Sequence, residues 1–581
     1  MSDDEKGTFK SFRDLLKSKG GEPPPPVAAT EERGWTLDSD DAPVDLTADL
    51  PEAARTRIQS RPAAFGAMGH GPPMYADVES EEMELLHSFR VRTTFPDDVL
   101  AEMRSLPPDP DPADFEGRRD LRGLNVFTID GADAKDFDDA ISIRRLDDGL
   151  LEVGVHIADV AHYVRPDTAL DAEALTRGTS VYLADQVVPM LPEELSNGLC
   201  SLVPHRPRLA YSVWMHFDDA GKRQHAEVSK SVIESVRRNT YREVQAVLDG
   251  EGDPELAFLE PDLRLFERWT LTQQQLRDAR GSLRIQSRER KFVFDDEFRV
   301  AGVIDDPRWF ANTLIEETAL AANQAVGDLF RKRGLPTIYR VHPEKDAEEI
   351  AAVARMLKEH GIRVPDKERL TGRDIGRMIR HARRKPNAEA LIGRIMGLVE
   401  RAVYEVKDHE DVATHWGLAR EAYLHFTSPI RRYPDLIVHR WLWAIEGGDQ
   451  EAETALRSGD LIGDLKDTAM HCSLQSQVAE MAEQAIGDLK VCQYLHPHIG
   501  EKHAAKVIRV SRAGLEIELD AFGVKGFLPA RKLGDRVKVE GPTLTVQTGR
   551  QHLSFSEGHP ISILVQDVDF LRLQVLLELA K

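Results

Sequence analysis

Between Thr128 and Ala140 the chain reads T-I-D-G-A-D-A-K-D-F-D-D-A, which places five aspartates within ten residues directly after an apolar run. Carboxylates this close repel one another, so a folded chain keeps them together only where water screens them or a cation holds them. Asp136, Asp138 and Asp139 are too near in sequence to share one face of a helix or strand, so they must ring a point in space from a loop. Such a ring suits a hard cation. Mg²⁺ takes oxygen ligands and keeps open positions for substrate phosphates, and two such ions about 3.5–4 Å apart can activate a water and stabilise the leaving oxygen of a phosphodiester. An isolated D-x-D-D is more often a solvated acidic turn, so the surroundings must decide.

The surroundings are elements able to hold such a loop still. Gly123 to Ile129 reads as a buried strand, and L-L-E-V-G-V-H-I-A-D-V from Leu150, after the Asp148-Gly149 turn, reads as another, which puts the aspartates in a connection between strands. Much later, Thr427-Ser428-Pro429 is a helix-start signal that brings Arg431 and Arg432 near a helix N-terminus, where backbone amides and guanidinium both favour phosphate. Leu436, His439, Arg440 and Trp443 follow at helical spacing, so His439 reads as a packed helix residue and not as a base. From Ile462 to Tyr494 apolar residues recur at helical spacing, which predicts one long helix against the core.

Composition bounds the rest. The 581 residues, 41% of them hydrophobic, suffice for a large core divided among several domains. Cys200, Cys472 and Cys492 are far apart and form no C-x-x-C pair, which suits a reducing compartment, with the cytoplasm as the expectation, and argues against a disulfide framework or a cysteine zinc site. No apolar run is long enough to span a membrane, and M-S-D-D-E-K does not open like a signal peptide. A net charge of −23 excludes a surface coated in basic residues, although a groove of clustered Lys and Arg can still bind nucleic acid. Residues 1–80, rich in Pro, Gly, Ala and acid, read as a mostly disordered lead, with S-F-R-D-L-L-K from Ser11 as a short amphipathic exception; residues 81–120 read as an ordered segment leading into the core. Arg277–Lys291 and Arg373–Lys385 are basic runs that could track phosphates, the second equally readable as a solvated helix face.

The ordered series R-R-D-L-R-G-L-N-V-F-T-I-D, the aspartate loop, V-H-I-A-D-V-A-H-Y-V, R-G-T-S-V-Y-L, V-P-M-L-P-E-E-L-S-N-G-L-C-S-L and H-F-T-S-P-I-R-R-Y-P-D-L-I-V-H-R resembles the catalytic core of the ribonuclease II/R family from about Phe95 to Leu495. The resemblance implies an α+β fold: an RNB-type catalytic core over residues 121–495, a mixed sheet with surrounding helices and an RNA channel. It implies Mg²⁺-dependent 3′ to 5′ hydrolysis of single-stranded RNA to nucleoside 5′-monophosphates, with two ions and Mn²⁺ as an alternative, by a monomer active in RNA turnover. Carried over position by position, it makes Asp130, Asp136, Asp138 and Asp139 the metal-binding and water-activating carboxylates and leaves Asp133 at a variable position. Tyr182 matches the tyrosine that packs on the 3′-terminal nucleotide. Arg431 matches the arginine that meets the scissile phosphate, while Arg432 meets a structural acid or a neighbouring phosphate. Glu483 matches a glutamate near the leaving nucleotide, with Glu480 as a competitor. L-I-E-E-T-A-L-A-A-N from Leu314 and I-Y-R-V-H from Ile338 match as scaffold.

After Pro497 the pattern changes to five short strands with glycine turns, which predicts a small barrel over residues 498–581. It resembles the OB-fold RNA-binding domain of the ribosomal-protein S-one type, with Phe522, Phe527, His552 and Phe555 as candidates for stacking on bases or for filling the barrel. The chain departs from the family pattern where two cold-shock domains would precede the core and where a Lys-rich tail would follow the barrel, which leads us to expect a preference for unstructured 3′ ends and weaker processivity. Two other classes remain open at this level: a catalytically silent RNA-binding protein with the same core, and a different metal-dependent phosphoesterase.

Overall fold

The computed structural model describes residues 78–581 apart from 284–289, 296–298, 306, 344, 366–369, 386–387, 408–413, 446–449, 521–523, 535, 541–542, 549–550 and 581. The expected lead therefore lies outside the described residues up to residue 77, as do Phe522 and part of the first basic run.

The core is a seven-stranded mixed sheet. Its strands are β1 (Arg119–Asp120), β2 (Phe127–Asp130), β3 (Asp139–Arg145), β4 (Leu151–Ala158), β7 (Pro207–Phe217), β8 (Arg223–Glu234) and β9 (Arg237–Thr240), in the order β1-β8-β7-β4-β3-β2-β9. The short β5 (Val181–Tyr182) and β6 (Val187–Val188) pair with each other outside it. Every residue of β4 is buried, which a strand in mid-sheet with both faces covered requires. Most neighbours run antiparallel, but β2 lies parallel to β9, with Asp130 opposite Thr240. The strand expected over Gly123–Ile129 is β2, and it begins later than its apolar run suggests: Leu121 N–H bonds to Val232 O and Leu124 N–H to Leu121 O, so the chain turns after β1 before it re-enters the sheet at Phe127.

Helices cover this sheet. α1 (Val78–Ser88) leads in, α2 (Phe310–Arg333) packs against β4 and β7, α3 (Tyr433–Ala444) follows the arginine pair, and α4 (Gly459–Leu495) is the long helix, one to three residues longer at each end than its apolar spacing predicts. The buried stripe of α4 includes Leu465, Ala469, Cys472, Ala479, Ala482, Ile486 and Leu489. α1 docks on the end of α4 through a fully buried Lys490, ion-paired with Glu82, and through Gln493, which donates to Glu81 at 2.8 Å. All three cysteines are free and buried. Among the described residues no helix is long and apolar enough to cross a membrane.

The C-terminal region is a closed barrel of Lys502–Val510, Gly514–Leu519, Val524–Pro529, Gln574–Leu579 and Pro560–Asp569, in that order around the ring. These are the five strands expected. A three-stranded sheet formed by Arg536–Glu540, Thr543–Thr548 and Gln551–Ser556 is inserted between the third and fourth of them in sequence, and the strand count missed it. The barrel interior is aliphatic, with Val507, Leu515, Ile517, Val565 and Leu577 all buried. Phe527 stands half-buried between the inward-facing Gly526 and Leu528, His552 is exposed, and Phe555 packs against the barrel core.

Candidate active site

The sheet itself gathers the aspartates. β2 and β3 pair at Phe127 and Ile141, so Asp130 at the end of one strand and Asp138 and Asp139 at the start of the other reach the same edge, with Asp136 in the connection. Asp138 is buried at 5% exposure; the other three are partly exposed. The loop is pinned at several points. Ser201 Oγ accepts the Phe137 N–H at 3.0 Å and donates to Lys135 O at 2.7 Å, while Asp138 O accepts the Ala158 N–H at 2.9 Å. Arg238 on β9 donates to Gly131 O at 2.6 Å and Ala132 O at 2.7 Å and sits over the Phe137 ring at 5.7 Å, so one guanidinium grips both arms of the loop. Asp133 is exposed and ion-paired with Lys291 at 2.8 Å.

Electrostatics then becomes legible. Burial, with Asp139 close by, pushes the Asp130 carboxyl well above its usual range, and burial raises Asp139 and Asp138 against the opposing pull of Arg431. Asp130 Oδ2 is buried; the Thr128 hydroxyl lies beside it and favours its charged form, but the two make no hydrogen bond of good geometry. A buried acceptor left this way is costly, and a cation is the partner that four neighbouring carboxylates call for. Among the described residues no three acidic, imidazole or thiolate groups converge into a ready-made metal cage. Mg²⁺ does not require one, because it usually keeps several waters and is bound through one or two carboxylates together with substrate phosphates. Asp130, Asp136, Asp138 and Asp139 thus fit a hard cation by donor type and position.

The second half of the site comes from distant sequence. Arg431 O accepts hydrogen bonds from Thr179 Oγ1 and Ser180 N, both at 3.0 Å, and Gly178 O accepts the Tyr433 N–H at 3.0 Å, stitching together segments 252 residues apart. Gly178 has φ 68°, and a Cβ there would lie 2.8 Å from the Gln475 side chain, so glycine lets this segment pass close beneath α4. The stitching delivers Tyr182 and Arg431 to the aspartates. Tyr182 Oη donates to Asp136 over a long 3.4 Å, and its ring is 40% exposed. Arg431 Nε lies 3.6 Å from Asp138 Oδ2, its Nη2 donates to Ser428 Oγ at 3.0 Å, and the Ile430 N–H donates to Asp138 at 2.9 Å.

The remaining candidates separate. Arg432 forms a two-pronged pair with the buried Asp435 at 2.7 and 2.8 Å, so its guanidinium is occupied by a structural acid. Glu483 Oε1 accepts the Tyr182 N–H at 2.8 Å, whereas Glu480 faces outward to Arg401 at 2.7 Å. Both glutamates line a cavity of about 1140 Å³ beside Tyr182, together with Phe292, Lys291 and Arg572. His439 is fully buried, donates to Phe426 O at 2.9 Å and stacks on that ring. The basic runs are partly structural: Arg277 pairs with Glu316 at 2.6 Å and Arg373 donates to the carbonyls of Ala279 and Arg280. Sequence reasoning missed Arg238 and Tyr241. Tyr241 lies near Asp139 and Asp130, and burial with those charges pushes its hydroxyl upward. The visible signal was the Thr240–Glu243 capping box, which ends β9 and starts a helix beside the loop.

Comparison with known proteins gives a consistent picture. The family model described as RNB domain matches residues 118–447, and that described as S1 RNA binding domain matches residues 496–569. Ribonuclease R of Thermotoga maritima is 38% identical over 447 residues, 76% of this chain and 62% of that protein. Ribonuclease R of Escherichia coli strain K12 is 34% identical over 423 residues, 72% of this chain and 52% of that protein. The chain thus spans less than two thirds of either relative. In three dimensions the fold is that of Mycoplasma genitalium RNase R, solved with ribose-methylated single-stranded RNA, at TM-score 0.77, 24% identity, 87% of this chain and 78% of that one. Yeast Ssd1, described as a pseudonuclease, shares the fold at TM-score 0.63 and 19% identity over 82% of this chain and 59% of that one.

Proposed function

The chain belongs to the RNB-domain family, and from that membership together with the four gathered aspartates we propose that it is an exoribonuclease that removes nucleotides from the 3′ end of single-stranded RNA. The observation that carries the reading is the junction of Arg431, Tyr182 and the loop carboxylates at one sheet edge. The ribonuclease R relatives support the 3′ to 5′ direction, and the S1-type barrel supports an RNA partner.

In this reading Asp130, Asp136, Asp138 and Asp139 hold Mg²⁺, which supplies a Lewis acid and a more acidic bound water when present. Every other contribution belongs to the chain. Tyr182 offers an exposed ring on which any terminal base can stack, which suits an enzyme indifferent to sequence. Glu483 fixes the backbone that carries that ring. Arg431, held by Ser428 and by its own carbonyl, meets the charge on the scissile phosphate, and Asp138 keeps the guanidinium aimed there. The products are nucleoside 5′-monophosphates.

That the fold also occurs in a protein described as a pseudonuclease means the fold alone does not decide activity; the four aspartates of this chain are what supports the enzyme reading. The test is 5′-labelled RNA incubated with Mg²⁺, with and without a blocked 3′ end. Stepwise shortening of unblocked RNA alone is the expected result. Internal cuts would mean another kind of nuclease, and intact RNA a binding protein.

A further inference from the structure

A second cavity, of about 780 Å³, shares no wall residue with the one beside Tyr182. Five cationic side chains line it, against the two acids Glu405 and Glu421, in a chain whose net charge is −23. Three of the five are already committed. Lys345 pairs with Glu349 and Glu400, Lys407 pairs with Glu405, and Arg373 donates to main-chain carbonyls.

Arg280 and Arg420 differ. Among the described residues neither side chain forms an ion pair or hydrogen bond, and Arg420 Nε is buried without a partner. The acid that both feel, Glu317, is buried and already held by Arg277 at 3.2 Å. Burial, with Arg280 close by, lowers Arg420 to about 10, the behaviour of a guanidinium short of counter-charge. A phosphate supplies that charge in a geometry that guanidinium groups match.

The same wall carries a flat apolar group. Trp416 is partly exposed and stands 5.0 Å from the His342 ring. His342 Nδ1 donates to Glu400 O at 2.8 Å, so in the neutral ring Nε2 is an acceptor, and it lacks a donor among the described residues. That nitrogen is itself buried and closed to a ligand, so the cavity offers phosphate-seeking cations and an indole face, which match a ligand with an anion and a planar ring. The volume falls within the range of small-molecule sites, about 300–1,000 Å³, and suits one nucleotide more than a strand.

We propose that this cavity binds a single nucleoside 5′-monophosphate, with its phosphate against Arg280 and Arg420 and its base against Trp416. The proposal stands apart from the exoribonuclease reading, since it requires neither metal nor hydrolysis.

Calorimetric titration of the full chain with AMP in EDTA tests it. Saturable binding is expected, with adenosine and inorganic phosphate each at least about tenfold weaker, because each lacks half of the contacts. Arg420→Gln and Arg280→Gln should each weaken AMP about tenfold or more, and Trp416→Leu should weaken AMP while sparing phosphate. Asp138→Asn and Tyr182→Ala should leave AMP binding intact. Arg280 is exposed, so its variant reports even if the buried Arg420 position does not tolerate change. Absence of saturable heat up to about 5 mM AMP would overturn the proposal. So would binding that is lost in Tyr182→Ala and kept in Arg280→Gln, which would assign the nucleotide to the aspartate site, or equal affinity for AMP and phosphate, which would reduce the cavity to an anion site.

Discussion

Glu483 accepts the backbone N–H of Tyr182 at 2.8 Å, which ties the long helix α4 to the short strand whose ring faces the aspartates. Burial pushes this carboxyl upward, and the amide donor opposes the rise. The contact is structural in kind and functional in effect, because it sets where the ring stands. Glu483→Gln keeps an acceptor oxygen and is expected to retain activity within a fewfold. Glu483→Ala leaves the amide without that acceptor and should raise KM for short RNA about tenfold, in line with one lost hydrogen bond to a charged group. Steady-state kinetics on both variants makes the check; equal losses in Gln and Ala would mean that the carboxylate itself takes part.

Asp138 and Arg431 face each other across the join between the loop and α3, with Nε and Oδ2 3.6 Å apart. Asp138→Asn should lower kcat about 10²-fold or more while RNA binding, measured by filter retention, stays near wild type. Arg431→Lys keeps the charge and loses the planar fork, so it should also depress kcat more than KM. Wild-type turnover in Asp138→Asn would remove this residue from the reaction.

Arg238 holds the loop through Gly131 O and Ala132 O, next to Asp130, whose charged form it favours. Its removal should therefore act through the metal. Arg238→Met is expected to raise the Mg²⁺ concentration for half-maximal activity about tenfold, the size of effect seen when groups behind metal ligands are lost. Mn²⁺ affinity measured by calorimetry without RNA should fall in parallel; unchanged Mn²⁺ affinity would refute the positioning role.

His156 is fully buried between Ser142 and Ser212, bonded at 2.9 and 2.7 Å, and burial lowers it from 6.5 to about 3. His415 falls to about 3 for the same reason. Between those values the unfolded chain takes up protons that the folded chain refuses, so stability is fully present above pH 6.5 and is lost as pH falls toward 3. Each group contributes a slope of up to about 1.4 kcal/mol per pH unit in that window. The raised carboxyls of Asp130, Asp138 and Asp139 act in the opposite direction, so the check is a difference: the wild-type urea midpoint should fall relative to that of His156→Gln between pH 7.5 and 5.5, and a constant difference would count against it.

Much of this protein is legible in one dimension because its signals are local. The aspartate loop, the strand pattern of β4, the period of α4 and the five barrel strands all follow from residue types a few positions apart, where repulsion and hydrophobic periodicity act directly. Matching motifs in order then named roles for Tyr182, Arg431 and Glu483. Local patterns did not reveal the inserted three-stranded sheet, and they left Phe555 open between stacking on bases and filling the barrel, where it packs against the barrel core.

What only the tertiary structure decided are the partnerships between distant segments. Arg432 and Arg431 are adjacent in sequence, yet one closes on Asp435 and the other turns to Asp138, a choice made by the strand-like join of residues 178–180 to 431–433. Arg238 gained its place because β9 runs parallel to β2, and Arg280 and Arg420 share a cavity because a helix end and a hairpin meet there. The physical reason is common to all of them. Guanidinium and carboxylate groups interact strongly only within a few ångströms, and which ones come that close is set by how the chain crosses the sheet, a global property that no short window of sequence contains.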